Sequence, residues 1–189
     1  MKKSAIFVLC VLTAMLLASC GGGSGQLDGI WTGSIYGDDV TLVVVDNICF
    51  MREGRSVDAA TFRLDGKSGD ITFGRDKFPF TVEGKNIVVS VYGELFEFSR
   101  TAKADATPKA LKGVWNGPYD TTLVFVNNFA YFIDDDGDAD YASTYTFNKN
   151  EGSLRSTLYR YDVKFTVKGN SLNASIEDFG ETLTFTRKK

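Results

Sequence analysis

Leu27-Asp28-Gly29-Ile30-Trp31-Thr32-Gly33 returns 84 residues later as Leu111-Lys112-Gly113-Val114-Trp115-Asn116-Gly117. The two copies hold the chain's 2 tryptophans. Each opens a series of short alternating segments. Each series ends on an aromatic, a hydroxyl residue and an arginine: Phe98-Ser99-Arg100 and Phe185-Thr186-Arg187. The correspondence continues in between. Thr41-Leu42-Val43-Val44-Val45 matches Thr122-Leu123-Val124-Phe125-Val126, and Phe80-Thr81-Val82-Glu83-Gly84 matches Phe165-Thr166-Val167-Lys168-Gly169. Self-similarity of this kind marks one supersecondary unit written twice. The offset drifts between 81 and 87 residues, which places small insertions between strands, where loops absorb them.

Inside the first unit the pattern predicts eight strands, near 29–36, 39–46, 47–52, 57–64, 70–74, 77–83, 86–92 and 94–100. Phe78, Phe80 and Val82 fall on one face, as do Ile87, Val89 and Val91, then Phe96 and Phe98. The second unit repeats this with Val163, Phe165 and Val167, then Leu172, Ala174 and Ile176, then Leu183 and Phe185. Glycine-containing pairs such as Gly37-Asp38, Glu83-Gly84 and Tyr92-Gly93 separate the runs. Short connections between successive strands imply antiparallel meanders. The fold class is therefore all-β, with two tandem up-and-down meanders of about eight short strands: residues 27–100 and 111–189. The stretch 101–110, rich in Ala, Lys and Thr and holding Pro108, reads as a linker. A Trp and an Arg in each unit argue that each closes alone; the alternative is one merged barrel or sandwich.

A Gly-x-Trp on the first strand, eight up-and-down strands and an Arg on the last resemble the calycin pattern of lipocalins and their small bacterial relatives. The resemblance implies a barrel plugged at one end by the Trp with the Arg packed across it, so Trp31 would meet Arg100 and Trp115 would meet Arg187. A guanidinium stacked on an indole gains about 0.5–2 kcal/mol. The resemblance also implies a carrier of a small apolar ligand. At this strand length, however, Phe78, Phe80, Phe96, Phe98, Phe165 and Phe185 read as filling the barrels.

Met1-Lys2-Lys3 and the apolar run Ala5 to Leu17 read as a secretory signal, too short for a membrane span. The run ends on Leu17-Ala18-Ser19-Cys20, which resembles the lipobox of bacterial lipoproteins. That resemblance implies a signal peptide over 1–19, cut before Cys20, which would then carry acyl chains. Several chains anchor durably where one does not, at about 0.8 kcal/mol per buried methylene. Gly21, where many Gram-negative lipoproteins use Asp for inner-membrane retention, points to the outer membrane. Surface-exported lipoproteins of Bacteroides-like bacteria carry acidic residues just after the Cys. Here the nearest acid is Asp28, so the leaflet stays open. Residues 20–26, Gly-rich, read as a flexible tether.

The chain has no His, which removes the commonest general base and metal ligand near neutral pH. Taking Lys2 and Lys3 from the 21 basic residues leaves 19 against 24 acidic, a balance of −5, with no basic stripe for nucleic acid. Cys10 leaves with the signal and Cys20 is lipidated, so Cys49 stands alone as a packing residue.

The sharpest candidate site is Asp134-Asp135-Asp136-Gly137-Asp138-Ala139-Asp140. Asp134, Asp136, Asp138 and Asp140 could gather oxygen around calcium, since Gly137 permits a tight turn. The spacing departs from the EF-hand, with Phe132 at its first position, and a solvated hairpin tip explains the run as well. Gly66-Lys67-Ser68 lacks the other parts of a phosphate loop. Glu94 with Glu97, and Glu177 with Asp178, read as surface charge. Tyr141, Tyr145, Tyr159 and Tyr161 suggest a sugar- or partner-binding face. The expectation is a monomeric, non-catalytic binding or scaffolding module at the membrane, meeting a protein or glycan partner. A carrier of a small apolar ligand is the alternative.

Overall fold

The computed structural model describes residues 26–102, 107–134, 136–142, 144–157, 160–176 and 180–188. The predicted signal peptide, Cys20 and nearly all of the tether lie outside these residues. The described residues form strands and turns, with no α-helix. The first repeat runs β1 (Gly29–Ile35), β2 (Asp38–Val45), β3 (Ile48–Glu53), β4 (Ser56–Asp65), β5 (Ser68–Phe73), β6 (Asp76–Glu83), β7 (Asn86–Val91) and β8 (Glu94–Ala102). Each strand pairs antiparallel with the next, and β1 pairs with β8 through Trp31↔Arg100 and Gly33↔Phe98, so the sheet is a closed barrel.

Two-residue turns set this meander. At Tyr36-Gly37 and Tyr92-Gly93 both residues take positive φ (52° and 97°, then 49° and 91°). That geometry matches the twist of the flanking strands, so the hairpin stays in register. Leu27, Trp31, Leu42, Val44, Cys49, Phe62, Ile71, Phe80, Ile87 and Phe98 fill the barrel. Gly69 is what lets the large rings in: a Cβ there would fall on the Arg63 carbonyl and the Phe80 ring. Gly33 gives the same room to Phe98, and Gly117 and Gly152 repeat the arrangement under Phe185 and Phe165.

The second repeat runs β9 (Val114–Asn116), β10 (Thr122–Val126), β11 (Phe129–Ile133), β12 (Ala139–Ala142), β13 (Tyr145–Asn148), β14 (Glu151–Arg155), β15 (Asp162–Lys168), β16 (Ser171–Ile176) and β17 (Glu181–Arg187). Here a closed eight-strand barrel is not what forms. The sheet is a curled, open one of nine strands, with β12 and β13 at its two edges. Those edges are the two halves of one expected strand. In the first repeat, Thr61 of β4 pairs at once with Ile48 of β3 and Thr72 of β5. Ala60 corresponds to Ala142 and Phe62 to Tyr145, so the offset steps from 82 to 83 and one extra residue enters where Thr61 bridges. Thr157 N–H then donates to Tyr141 O (2.8 Å), giving the β12 edge a partner from the β14–β15 connection.

The repeats do not stand apart. A third apolar core joins their outer faces, built from Val43, Val45 and Phe50 on one side and Val114, Val124, Val126, Tyr131 and Tyr141 on the other. The Phe50 and Tyr131 rings stack at 4.5 Å. The expected linker 101–110 is described only at its two ends. Thr101 and Ala102 extend β8, and residues 103–106 lie outside those described. Thr107 is buried in the second repeat, where its Oγ1 donates to Phe125 O (3.4 Å) and accepts from Asn127 N–H (2.7 Å).

Candidate functional site

Each repeat has one plugged end. Trp31 Nε1 donates to Leu27 O and Trp115 Nε1 to Leu111 O, both at 2.9 Å, with both leucines buried. The Arg100 guanidinium lies 4.4 Å from the Trp31 ring centroid, and that of Arg187 lies 4.5 Å from the Trp115 ring. Arg100 Nη2 donates to Gln26 O (2.8 Å), and Arg187 Nη2 donates to Ala110 O. One Arg thus covers the indole face and ties the incoming chain across it. Beside this plug, Asp28 Oδ1 accepts Asp46 N–H (2.8 Å). Burial pushes the Asp28 carboxyl above the usual carboxylate range; the Asp46 N–H and the Arg100 charge work against that rise, and the Asp46 charge adds to it.

The opposite end of the first barrel is open. The turns at Tyr36-Gly37, Gly54-Arg55, Gly74-Arg75 and Tyr92-Gly93 ring it. Inside lies a well of about 220 Å³, floored by Leu42, Ile71, Val89 and Phe98 and walled by Met51, Phe73 and Phe78. Two exposed tyrosines crown the rim. Tyr36 is 59% exposed and packs edge-on to Phe96, and Tyr92 is 82% exposed and packs edge-on to Phe78. Both hold left-handed backbone, which costs a non-glycine residue roughly 1–2 kcal/mol. Asp46, Asn127 and Lys149 take the same backbone at the first position of their own two-residue turns, so this is hairpin geometry.

The matching space in the second repeat is only about 50 Å³. Phe132 stands where the first repeat has Met51, and Tyr161 reaches in from the longer connection between β14 and β15. Asp140 is buried there, accepting hydrogen bonds from Ser156 Oγ and Tyr141 N–H.

The acidic run is split by this arrangement. Asp134 Oδ1 accepts Asp136 N–H (3.1 Å) and Asp138 N–H (2.8 Å), which holds the loop shut on itself. Asp136 and Asp138 are exposed, Asp140 points into the second sheet, and Asp135 lies outside the described residues. Among the described residues, no group of three or more Asp, Glu or Cys side chains is placed to hold a metal ion. Instead, Gly137 and Asp138 border a groove beside the first barrel's mouth, together with Met51, Asp58, Phe73, Asp76 and Phe78.

The remaining candidates disperse. Glu94 and Glu97 lie on opposite faces of β8, and Glu97 accepts from Asn86 Nδ2. Glu177, Asp178 and Tyr159 lie outside the described residues. Gly66-Lys67 is the two-residue β4–β5 turn. The tyrosines expected to make a binding face are turned inward instead: Tyr141 is buried in the core between the repeats and borders the small second interior with Tyr161, and Tyr145 donates to Asn127 O (2.7 Å), with burial pushing its phenol up to about 12. Cys49 is fully buried, and burial pushes its thiol up to about 12. Sequence reasoning missed Tyr36 and Tyr92 as a rim. The signal was present, since an aromatic before Gly at two turns of one meander places both at the same end. Comparison with known proteins found no family model that matches the chain and no match among curated proteins.

Proposed function

We propose that this is a non-catalytic binding protein of the cell envelope, held to the outer membrane through acyl chains on Cys20, and that it takes a small apolar group into the mouth of its first barrel. This unites the sequence readings of a membrane-held binding module and a lipocalin-like carrier. One observation carries it: two repeats of one design differ at the same end, one with an apolar well of about 220 Å³ and the other nearly filled. A cavity of about 150 Å³ lined by aliphatic and aromatic side chains holds one benzene-sized ring. The first well therefore suits a single ring or a short branched chain.

The test uses the mature chain without acyl chains and benzyl alcohol as a neutral probe, followed by saturation-transfer NMR. Binding that is lost in Val91→Trp and kept in Ile176→Trp, its counterpart in the second repeat, supports the reading. No binding by the folded parent chain sinks it.

The glycan-partner reading finds its support elsewhere. Thr146, Ser153, Lys164, Ser175 and Thr182 line up across five strands on the outer face of the second sheet. Together they present hydroxyl and amine groups over a broad shallow groove. A screen of the mature chain against bacterial surface glycans, with Lys164→Ala as control, tests that face separately.

A further inference from the structure

Resting on the reading that the first barrel's mouth is a binding site, we propose that its ligand is a small organic cation: a ring-sized apolar body bearing an ammonium or guanidinium head. The well is apolar to its lip, and the charged groups that line it are Asp38 and Glu53. The adjoining groove shares Met51, Phe73 and Phe78 with the well and brings three more carboxylates: Asp58 and Asp76 from the first repeat and Asp138 from the second. Among the described residues, no lysine or arginine lines either space.

Two of the four nearby cations are turned to other work. Arg52 faces the second repeat, with its guanidinium 4.9 Å from the Phe129 ring centroid and 5.7 Å from that of Tyr141. Lys77 pairs with Asp70 at 2.9 Å on the outer face. Arg55 and Arg75 stand exposed at the turn tips and line neither space.

The apolar walls and the acidic lip divide the ligand between them. A ring enters the well and removes its surface from water, along with the well's own. The cationic head then stops at the lip, where it keeps part of its hydration and meets Asp38 and Glu53. The lip also offers aromatic faces, Tyr36 against Phe96 and Tyr92 against Phe78, and an aromatic face attracts a cation brought near it. An anionic head would meet the same carboxylates and be repelled. This also gives the acidic run a use that needs no metal. Its Asp138 adds negative potential at the mouth of the other repeat, which raises the local concentration of cationic ligand.

Three probes of one shape test the proposal on the mature chain at pH 7: phenethylammonium, 2-phenylethanol and phenylacetate, titrated calorimetrically. The cation should bind about tenfold tighter than the neutral alcohol and the anion more weakly than both, the order two lip carboxylates impose at this range. The gap should narrow as salt rises. In the double variant Asp38→Asn, Glu53→Gln, the cation should fall to the alcohol's affinity while the alcohol is unchanged. If the alcohol binds as tightly as the cation, or if the double variant keeps the preference, the cation proposal is overturned and the mouth remains a site for neutral groups. If none of the three binds, the cation proposal and the mouth reading fall together.

Discussion

Phe50 and Tyr131 hold the same position in the two repeats, and their rings stack on each other at 4.5 Å with planes 22° apart. The relation extends outward. Val43 and Val124, and likewise Val45 and Val126, are counterparts that meet in the same core. Each repeat therefore presents one patch to the same patch of the other. This is the isologous arrangement of a two-fold homodimer, here within one chain. Arg52, whose counterpart is Ile133, breaks the symmetry by lying over Phe129 and Tyr141.

That core should couple the folding of the repeats, despite their separate sheets. Phe50→Ala should lower stability by about 3–5 kcal/mol, the range for a buried Phe truncation. Calorimetry should show a single transition moved down as a whole. Two resolved transitions, with only one displaced, would show that the repeats fold independently.

The plug depends on shape as well as charge. Arg100→Ala should cost about 1–3 kcal/mol through lost stacking and the lost bond to Gln26 O. Arg100→Lys should recover less than half of that, because an ammonium cannot lie flat on Trp31 while bonding the carbonyl. Denaturant titration of the three proteins checks the order, and full recovery by Lys would reduce the contact to simple charge.

Two titrating groups lower stability as pH rises, each in its own window. Cys49 keeps its proton in the fold up to about 12, whereas the unfolded thiol loses it near 8.5. Between those values the unfolded chain binds fewer protons, so stability falls as pH rises through that window. Cys49→Ala should flatten the part of the decline that begins near pH 8.5, and native Cys49 should react with a thiol reagent only as fast as the protein opens. Asp28 has a raised folded pKa, so its charge opposes folding at neutral pH and the penalty fades as pH falls through that pKa. Asp28→Asn keeps an acceptor for Asp46 N–H and should stabilise the protein at pH 7 but not at pH 3. Chemical denaturation at the two pH values settles it.

The inward glycines are packing residues. Gly69→Ala and Gly152→Ala each set a methyl against a backbone carbonyl and a buried Phe ring. Each should cost about 1–3 kcal/mol, the usual penalty of overpacking. Pairing Gly69→Ala with Phe80→Leu should return part of the loss, and a neutral Gly69→Ala would mean that the ring has room to shift.

The repeat, the strand order and the two-residue turns are legible in the sequence because period-two alternation and Gly-containing turns are local. The strand split in the second repeat is not. It rests on one extra residue in Tyr141-Ala142-Ser143-Thr144-Tyr145, a run with no Gly or Pro to announce a break. The core between repeats left a trace: Leu42-Val43-Val44-Val45 and Leu123-Val124-Phe125-Val126 are apolar without alternation, the mark of a strand buried on both faces. Leu42 and Val44 turn inward, and Val43 and Val45 meet the other repeat. The well could not be read in advance. It is a difference of side-chain volumes, Met51 against Phe132, combined with the reach of Tyr161.

The most direct test is a methyl-resolved NMR titration of the mature chain with phenethylammonium. The account predicts saturable shifts at Leu42, Met51, Ile71, Val89 and Val91 and none at Leu123, Leu154 or Ile176. Shifts confined to the second repeat, or no shifts in either, would contradict it.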